Sequence, residues 1–93
     1  MTDKTIEPLV NMIKSFQDNL KRNHLPALIR EVNDIITRKE KDPRIIEPYL
    51  DSLLGIVQMG LGEKEFHRLN KYYRTIHPRN ARAYDRFYKE DMK

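Results

Sequence analysis

Basic side chains recur three or four residues apart in two segments of the last third of this chain, 68–74 and 79–89. At this spacing, side chains lie along one side of a helix. The set consists of Arg68, Lys71, Arg74, Arg79, Arg82, Arg86 and Lys89. Arginine predominates, and its planar guanidinium group suits the geometry of carboxylate and phosphate groups. These residue types predict the binding of an anion, and we expect Arg82 and Arg86 to contact carboxylates.

Most of the aromatic residues lie in the same part of the chain, since residues 66–88 contain six of the eight. We include Tyr72 and Tyr88 with the basic residues in the predicted partner-binding site. Tyr72, Tyr84 and Tyr88 offer aromatic faces beside cations, an arrangement that binds the bases of single-stranded nucleic acid. The alternative is that the tyrosines belong to the core, each with its hydroxyl group reaching water.

Side chains able to catalyse a reaction or to bind a metal are sparse. His24, His67 and His77 are the only histidines, and no two of them are four residues apart, so no zinc pair is indicated. The chain has no cysteine, which excludes disulfides, cysteine-based zinc sites and a thiol nucleophile. No glycine-rich phosphate-binding loop is present. We therefore expect no enzymatic activity, no cofactor and no metal.

The net charge of +4 is unevenly distributed. Residues 1–62 contain as many acidic as basic residues, so the whole excess lies in residues 63–93. We predict a single domain, 1–93, in which a neutral helical scaffold (1–62) carries a basic, aromatic-rich helical end (63–93). Charge asymmetry of this kind indicates an anionic partner for the basic end.

Apolar residues at helical spacing, separated by proline and glycine, predict an all-α fold. We expect four or five helices in antiparallel hairpins, forming a small bundle or a short stack of helical repeats. The predicted helices cover about 8–22, 26–36, 48–60, 63–76 and 79–90. Pro48 follows Pro43 too closely to lie inside a helix that begins at Pro43, so residues 43–46 are predicted to form a short turn. The helix over 48–60 is apolar over a wide arc and is expected to be the most buried.

Two proline-containing segments are similar to each other. Asp42-Pro43-Arg44 is followed 35 residues later by His77-Pro78-Arg79, and Tyr49 by Tyr84. Ile6-Glu7-Pro8-Leu9 is followed 40 residues later by Ile46-Glu47-Pro48-Tyr49, so the two offsets do not make one clean repeat. Helix starts share residue preferences, which is one explanation of the similarity. The other is a stack of helical hairpins, because several such families repeat every 34–47 residues or so.

Residues 54–84 resemble a degenerate tetratricopeptide repeat. The pair Leu54-Gly55 is similar to the Leu-Gly pair of that repeat's first helix, and Gly60-Leu61-Gly62-Glu63 is similar to its turn. Residues 76–84 resemble the proline junction and the aromatic residue that opens the next unit. The resemblance implies a surface for a partner protein or peptide, without catalytic chemistry.

These observations predict a small non-enzymatic binding protein, a protein-protein interaction module or regulator. Its basic, aromatic surface would contact an acidic protein surface or peptide. The alternative is a nucleic-acid-binding protein that uses the same residues, with residues 48–76 arranged like a helix-turn-helix. Self-association is a third possibility, because a small core gains from it. The N-terminus lacks the pattern of a targeting segment, and the longest apolar run is far too short for a membrane span, so we expect no membrane partner and a cytoplasmic location.

Overall fold

The computed structural model describes residues 14–15 and 18–91, and this part of the chain is helical. Its four α-helices are α1 (Leu25–Thr37), α2 (Pro43–Val57), α3 (Glu63–Arg74) and α4 (Pro78–Asp91). Each helix packs against the next, and α3 also contacts α1, so α3 contacts all three others. The predicted all-α fold is confirmed. Most of the predicted helix over 8–22 lies outside the described residues.

None of the helices in the described ranges combines the length and the apolar character that crossing a membrane requires. This agrees with the charge distribution, since α3 and α4 together carry most of the basic residues of the chain's last third.

The sequence predicts that one helix ends near Arg22 and that another begins at Pro26. In the structure, the helix continues through this region without a break. A π-helical turn, Leu20–His24, leads directly into α1, and residues 18–37 are helical throughout. Proline lacks an N–H group, and its ring displaces the carbonyl group four residues earlier. A wider π-turn accommodates this defect without ending the helix.

The predicted turn over 43–46 is wrong, because these residues form the first part of α2. Asp42 caps the helix by accepting a hydrogen bond from the backbone N–H of Arg44 at 2.9 Å, and Pro48 lies inside it. Ile46 and Leu50 are both fully buried, so both turns of the helix are held against the core. Arg44 and Pro48 are exposed, and the Arg44 carbonyl group that Pro48 leaves without a donor therefore lies on the solvent side.

The hydrophobic core draws on all four helices, with α2 contributing most and α4 least. Its members are Leu28, Val32, Ile35, Ile46, Leu50, Leu53, Ile56, Val57, Phe66, Leu69, Tyr73, Ala81 and Tyr84. The sequence places Phe87 on the apolar side of the last helix, but this side chain is 46% exposed. Ala81, Tyr84 and the half-buried Tyr88 already fill the inward-facing positions of α4.

The corner between α2 and α3 depends on two glycines. Gly60 has a φ of +79°, and the N–H groups of Gly60 and Leu61 donate to the carbonyl groups of Val57 and Ile56, which closes the end of α2 as a Schellman motif. Gly62 has a φ of +75°, and a Cβ atom there would lie 3.0 Å from Cδ1 of Ile56. A side chain at 62 is therefore disfavoured by both the backbone conformation and the packing.

Contacts between helices show their directions. Asn80 and Tyr84 contact Glu47 and Asp51 in the same order along the chain, so α4 runs parallel to α2. Tyr88 contacts Glu63, near the start of α3, while Ala81, near the start of α4, accepts a bond from further along α3, so α3 and α4 are antiparallel. The helices therefore form two hairpins, α1–α2 and α3–α4.

The connection between α1 and α2 is attached to the second hairpin at two backbone carbonyl groups. The Tyr72 hydroxyl donates to the Glu40 carbonyl oxygen at 2.6 Å. Nε2 of His77 lies 3.1 Å from the Lys41 carbonyl oxygen. These bonds hold the connection against the corner between α3 and α4.

Candidate anion-binding surface

The predicted site residues on α3 lie on two sides of the helix. Arg68 hydrogen bonds to Oδ1 of Asn33 on α1, and Tyr72, one turn later, also faces the first hairpin. Arg74 lies on the other side, where its Nη2 atom is 2.6 Å from Oδ2 of Asp85 on α4. The structure therefore separates Arg68 and Tyr72 from the residues beside α4.

Asp85 joins the two helices of the second hairpin. It accepts hydrogen bonds from Arg74 and, at 2.9 Å, from Nδ2 of Asn70, a side chain that is only 1% exposed. Asn70 also donates to the Ala81 carbonyl oxygen at 3.0 Å. Arg82 and Lys89 lie about one helical turn on either side of Asp85, so they flank the place where α3 and α4 meet.

Four basic residues of α4 are exposed, namely Arg79, Arg82, Arg86 and Lys89. Lys71 on α3 is exposed as well. Within the described ranges, none of these five forms an ion pair. An exposed cation without a carboxylate partner retains its full charge toward an incoming anion.

Two rows of side chains make up what we call the outer face of α4. In one row, Arg79, Ala83 and Phe87 follow each other at intervals of four residues, and the adjacent row contains Arg82 and Arg86. Ala83 is half-buried, and the other four are exposed. The outer face of α4 therefore combines three guanidinium groups with one exposed aromatic ring, and the exposed carboxylate of Glu90 lies one turn beyond Arg86.

The tyrosine hydroxyl groups all donate hydrogen bonds to other parts of the chain. The pairs are Tyr49 with Glu31 (3.3 Å), Tyr72 with the Glu40 carbonyl oxygen (2.6 Å), Tyr73 with Glu47 (2.6 Å), Tyr84 with Asp51 (2.7 Å), and Tyr88 with Glu63. Four of the five acceptors are carboxylates. The tyrosines are thus part of the packing between helices.

The ring of Tyr88 is enclosed by other rings. It stacks on Phe66 with ring centroids 5.6 Å apart, and the His67 ring meets it at right angles at 4.5 Å. Tyr72 is half-buried. Both rings therefore offer less area for a stacked base than the sequence suggests.

Burial and carboxylate neighbours keep these hydroxyl groups protonated. Burial, together with the hydrogen bond to Glu47, raises the pKa of Tyr73 to about 12. Burial and the bond to Asp51 raise the pKa of Tyr84 as well. For Tyr88, the hydrogen bond to Glu63 is the main cause of a raised pKa. Each of these hydroxyls therefore stays neutral, as a hydrogen-bond donor, further into the alkaline range than an ordinary tyrosine does.

Charge on the surface follows from these bonds. Glu31, Glu47 and Asp51 on the first hairpin accept from neutral tyrosines, and no arginine of α4 reaches them. Sequence spacing gave no signal of the pairs, because their members lie 18 to 33 residues apart. A neutral hydroxyl adds no positive charge to the carboxylate that it bonds, so the inner junction holds acidic groups and the outer face of α4 holds basic ones.

In the described part of the chain, no group of three or more histidine or acidic side chains is placed to hold a metal ion. No protein-family model matches the chain, and no curated protein or solved structure is significantly similar to it. The resemblance of residues 54–84 to a tetratricopeptide repeat therefore has no support from a family model.

Proposed function

We propose that the protein acts by binding, without catalysis, and that its partner is an acidic protein surface or peptide. The observation that carries this proposal is the outer face of α4. Arg79, Arg82 and Arg86 are exposed there and form no ion pair within the described ranges. The neighbouring carboxylates of α2 accept hydrogen bonds from neutral tyrosines instead.

The residue types on the outer face of α4 also support a protein partner. Arginine and aromatic residues are enriched in the centres of protein-protein interfaces, whereas lysine is depleted. Arg82 and Arg86 lie one turn apart, so their guanidinium groups are spaced to bind carboxylates that are one turn apart on a partner helix. Lys71 and Arg74 would extend the contact toward α3, and Lys89 toward the end of α4.

Nucleic acid is the alternative partner, through the same basic residues. The helix-turn-helix form of this alternative uses α2, the glycine corner and α3. However, α3 contacts the three other helices, and Arg68 hydrogen bonds to Asn33, which reduces what α3 presents to a DNA groove.

We keep the resemblance of residues 54–84 to a tetratricopeptide repeat as a proposal. Self-association and a cytoplasmic location are also proposals. One observation favours a repeated unit: Pro43 and Pro78, which are 35 residues apart, begin α2 and α4, the two helices that the resemblance makes the first helix of successive units.

The test is an affinity pull-down with the immobilised protein, with and without nuclease. Arg82→Glu/Arg86→Glu removes the central pair of cations. Lys21→Glu/Arg22→Glu is the matched control, because both residues are exposed, lie on the π-turn and undergo the same change of charge.

We expect the wild type and the control to retain one acidic protein species after nuclease treatment, and the Arg82→Glu/Arg86→Glu variant to lose it. Loss of the bound species on nuclease treatment alone would instead identify nucleic acid as the partner. Equal retention by both double variants would contradict a binding role for the outer face of α4.

A further inference from the structure

Arg82 lies on the side of α4 that faces α3, because it comes one turn before Asp85, which contacts α3. Asn70 of α3 donates to the Ala81 carbonyl oxygen at 3.0 Å and to Oδ1 of Asp85 at 2.9 Å. Since α3 and α4 are antiparallel, the residue after Asn70 lies level with the residues between Ala81 and Asp85. Lys71 therefore comes level with Arg82 on the neighbouring helix.

We call the line along which these two helices meet the hairpin seam, and its charged residues are Lys71 and Arg74 on α3 and Arg82 and Asp85 on α4. Lys71 and Arg82 are exposed, and each comes one turn before a member of the Arg74–Asp85 ion pair. Side chains three residues apart lie on one side of a helix. Two cations, one from each helix, thus lie beside the ion pair on the solvent side of the seam.

Asp85 is the acidic residue of the hairpin seam, and both of its oxygens are already bonded. Oδ2 lies 2.6 Å from Nη2 of Arg74, and Oδ1 accepts a hydrogen bond from Asn70. The charges of Arg74 and Asp85 offset each other. Lys71 and Arg82 form no ion pair within the described ranges. The seam therefore has an excess of two positive charges.

Other acidic residues that contact or belong to α4 lie away from these two cations. Asp51 accepts from Tyr84 on the side of α4 that faces α2. Glu63, near the start of α3, and Glu90, near the end of α4, each lie eight residues from the nearer seam cation, which is about 12 Å along the helix. Residues 66–84 contain no aspartate or glutamate. An incoming carboxylate therefore meets positive charge at the seam.

We propose that Lys71 and Arg82 together bind one carboxylate of the acidic partner, which lies across the hairpin seam and contacts both helices. The proposal rests on the proposed function and specifies where the acidic partner binds. Arg79 and Arg86, about one turn on either side of Arg82, bind further carboxylates of the same partner. A partner that lies across the seam needs Lys71 as much as Arg82, whereas a partner that lies along α4 alone does not.

The surroundings of Lys71 and Arg82 favour a carboxylate over a phosphate group. Both residues lie beyond the first turn of their helices, where the backbone N–H groups are bonded to carbonyl groups of the same helix. The free N–H groups with which a helix N-terminus holds phosphate are therefore not available at these two positions. An ammonium group and a guanidinium group can each donate to one oxygen of a carboxylate.

The test uses fluorescence anisotropy at low salt, with a short labelled peptide of glutamate residues as the probe. An oligothymidine of similar charge is the second probe. Lys71→Gln and Arg82→Gln each remove one cation of the seam, and the double variant removes both. Lys64→Gln is the matched control, since Lys64 is exposed on the same helix, about two turns before Lys71. Thermal melting of each variant shows that it is folded.

We expect Lys71→Gln and Arg82→Gln each to weaken binding of the glutamate peptide by about threefold to tenfold, and Lys64→Gln to weaken it by less than about twofold. Lys71→Arg should bind like the wild type, because it keeps the charge. The double variant should lose less affinity than the product of the two single losses, because both cations bind the same carboxylate.

Each other outcome overturns a defined part of the argument. If Lys71→Gln binds like Lys64→Gln while Arg82→Glu/Arg86→Glu loses the peptide, the site across the seam is overturned and the acidic partner stands. Single losses that multiply in the double variant would assign Lys71 and Arg82 to separate carboxylates and would also overturn the shared site. If the wild type binds neither probe, or binds the oligothymidine more tightly than the peptide, both proposals fail.

Discussion

The two hairpins use their charged residues differently. In the first hairpin, Glu31, Glu47 and Asp51 accept hydrogen bonds from tyrosine hydroxyl groups. In the second hairpin, most of the arginines face solvent, and Arg74 is the one that forms an ion pair among the described residues. The acidic side chains of the first hairpin are thus used in contacts with neutral tyrosines, whereas most basic side chains of the second hairpin stay open to solvent.

This difference teaches that the contacts that hold the fold and the proposed binding surface lie on different sides of the second hairpin. Tyr72, Tyr73 and Tyr84 join it to the first hairpin, whereas the arginines of α4 lie on the outer side. Substitutions on one side should therefore alter stability, and substitutions on the other should alter binding. The following predictions test this separation, beginning with the largest effect.

Tyr73→Ala should produce the largest loss of stability. Tyr73 is fully buried, and its hydroxyl donates to Glu47 on the first hairpin. Truncating a buried aromatic residue to alanine costs about 3–5 kcal/mol. Urea denaturation followed by circular dichroism measures the change in the free energy of unfolding.

Tyr73→Phe is the matched control, since it keeps the ring and removes only the hydroxyl group. Glu47 would still accept from Asn80, so we expect a loss of about 1–2 kcal/mol. Both variants, where folded, should bind an acidic peptide like the wild type. Weaker binding by folded Tyr73→Phe would show that the two sides are not separate.

Alkaline pH should weaken the junction between the hairpins. The pKa of Tyr73 is raised from 10.0 to about 12, and that of Tyr84 is also raised. The unfolded state loses these protons first, so the stabilisation is complete below pH 10 and is lost as the pH rises toward 12. The free energy of unfolding should fall by at most about 1.4 kcal/mol per pH unit for each tyrosine.

Denaturation curves at several alkaline pH values, together with tyrosinate absorbance, measure this dependence. Tyr73→Phe should show a shallower decline than the wild type between pH 10 and 12. An identical decline in both proteins would mean that Tyr73 ionises as freely in the folded state as in the unfolded state.

Arg74→Met should have the smallest effect on stability. The ion pair with Asp85 is about half exposed on the arginine side, and exposed ion pairs contribute between 0 and roughly 1 kcal/mol. Asp85 would still accept from Asn70. Calorimetric unfolding checks the prediction, and a loss above 2 kcal/mol or so would place the ion pair among the main folding contacts.

Local signals in the sequence predicted much of the fold. Gly62 and Pro78 mark the starts of α3 and α4 to within one residue, because each changes the backbone at its own position. Pro48 was misleading for α2. The rule against proline inside a helix is local, and it does not include the burial of Ile46 and Leu50 on either side.

The candidate site was only partly predictable. Helical spacing identified the exposed cations, including Arg82 and Arg86. It did not separate Arg68 from them, because the contact with Asn33 joins residues 35 positions apart. Phe87 follows the apolar spacing of its helix as well as Tyr88 does, and only the packing of α4 against α3 decides which of the two rings is covered.

The attachment of the connection between α1 and α2 has a consequence for the order of assembly. During synthesis, Glu40 and Lys41 leave the ribosome before Tyr72 and His77, so the first hairpin emerges with both backbone carbonyl groups open to water. The connection reaches its final arrangement only after the corner between α3 and α4 has been made. The two hairpins are thus expected to complete their folding together, because the connection between α1 and α2 is held by the corner between α3 and α4, which forms last.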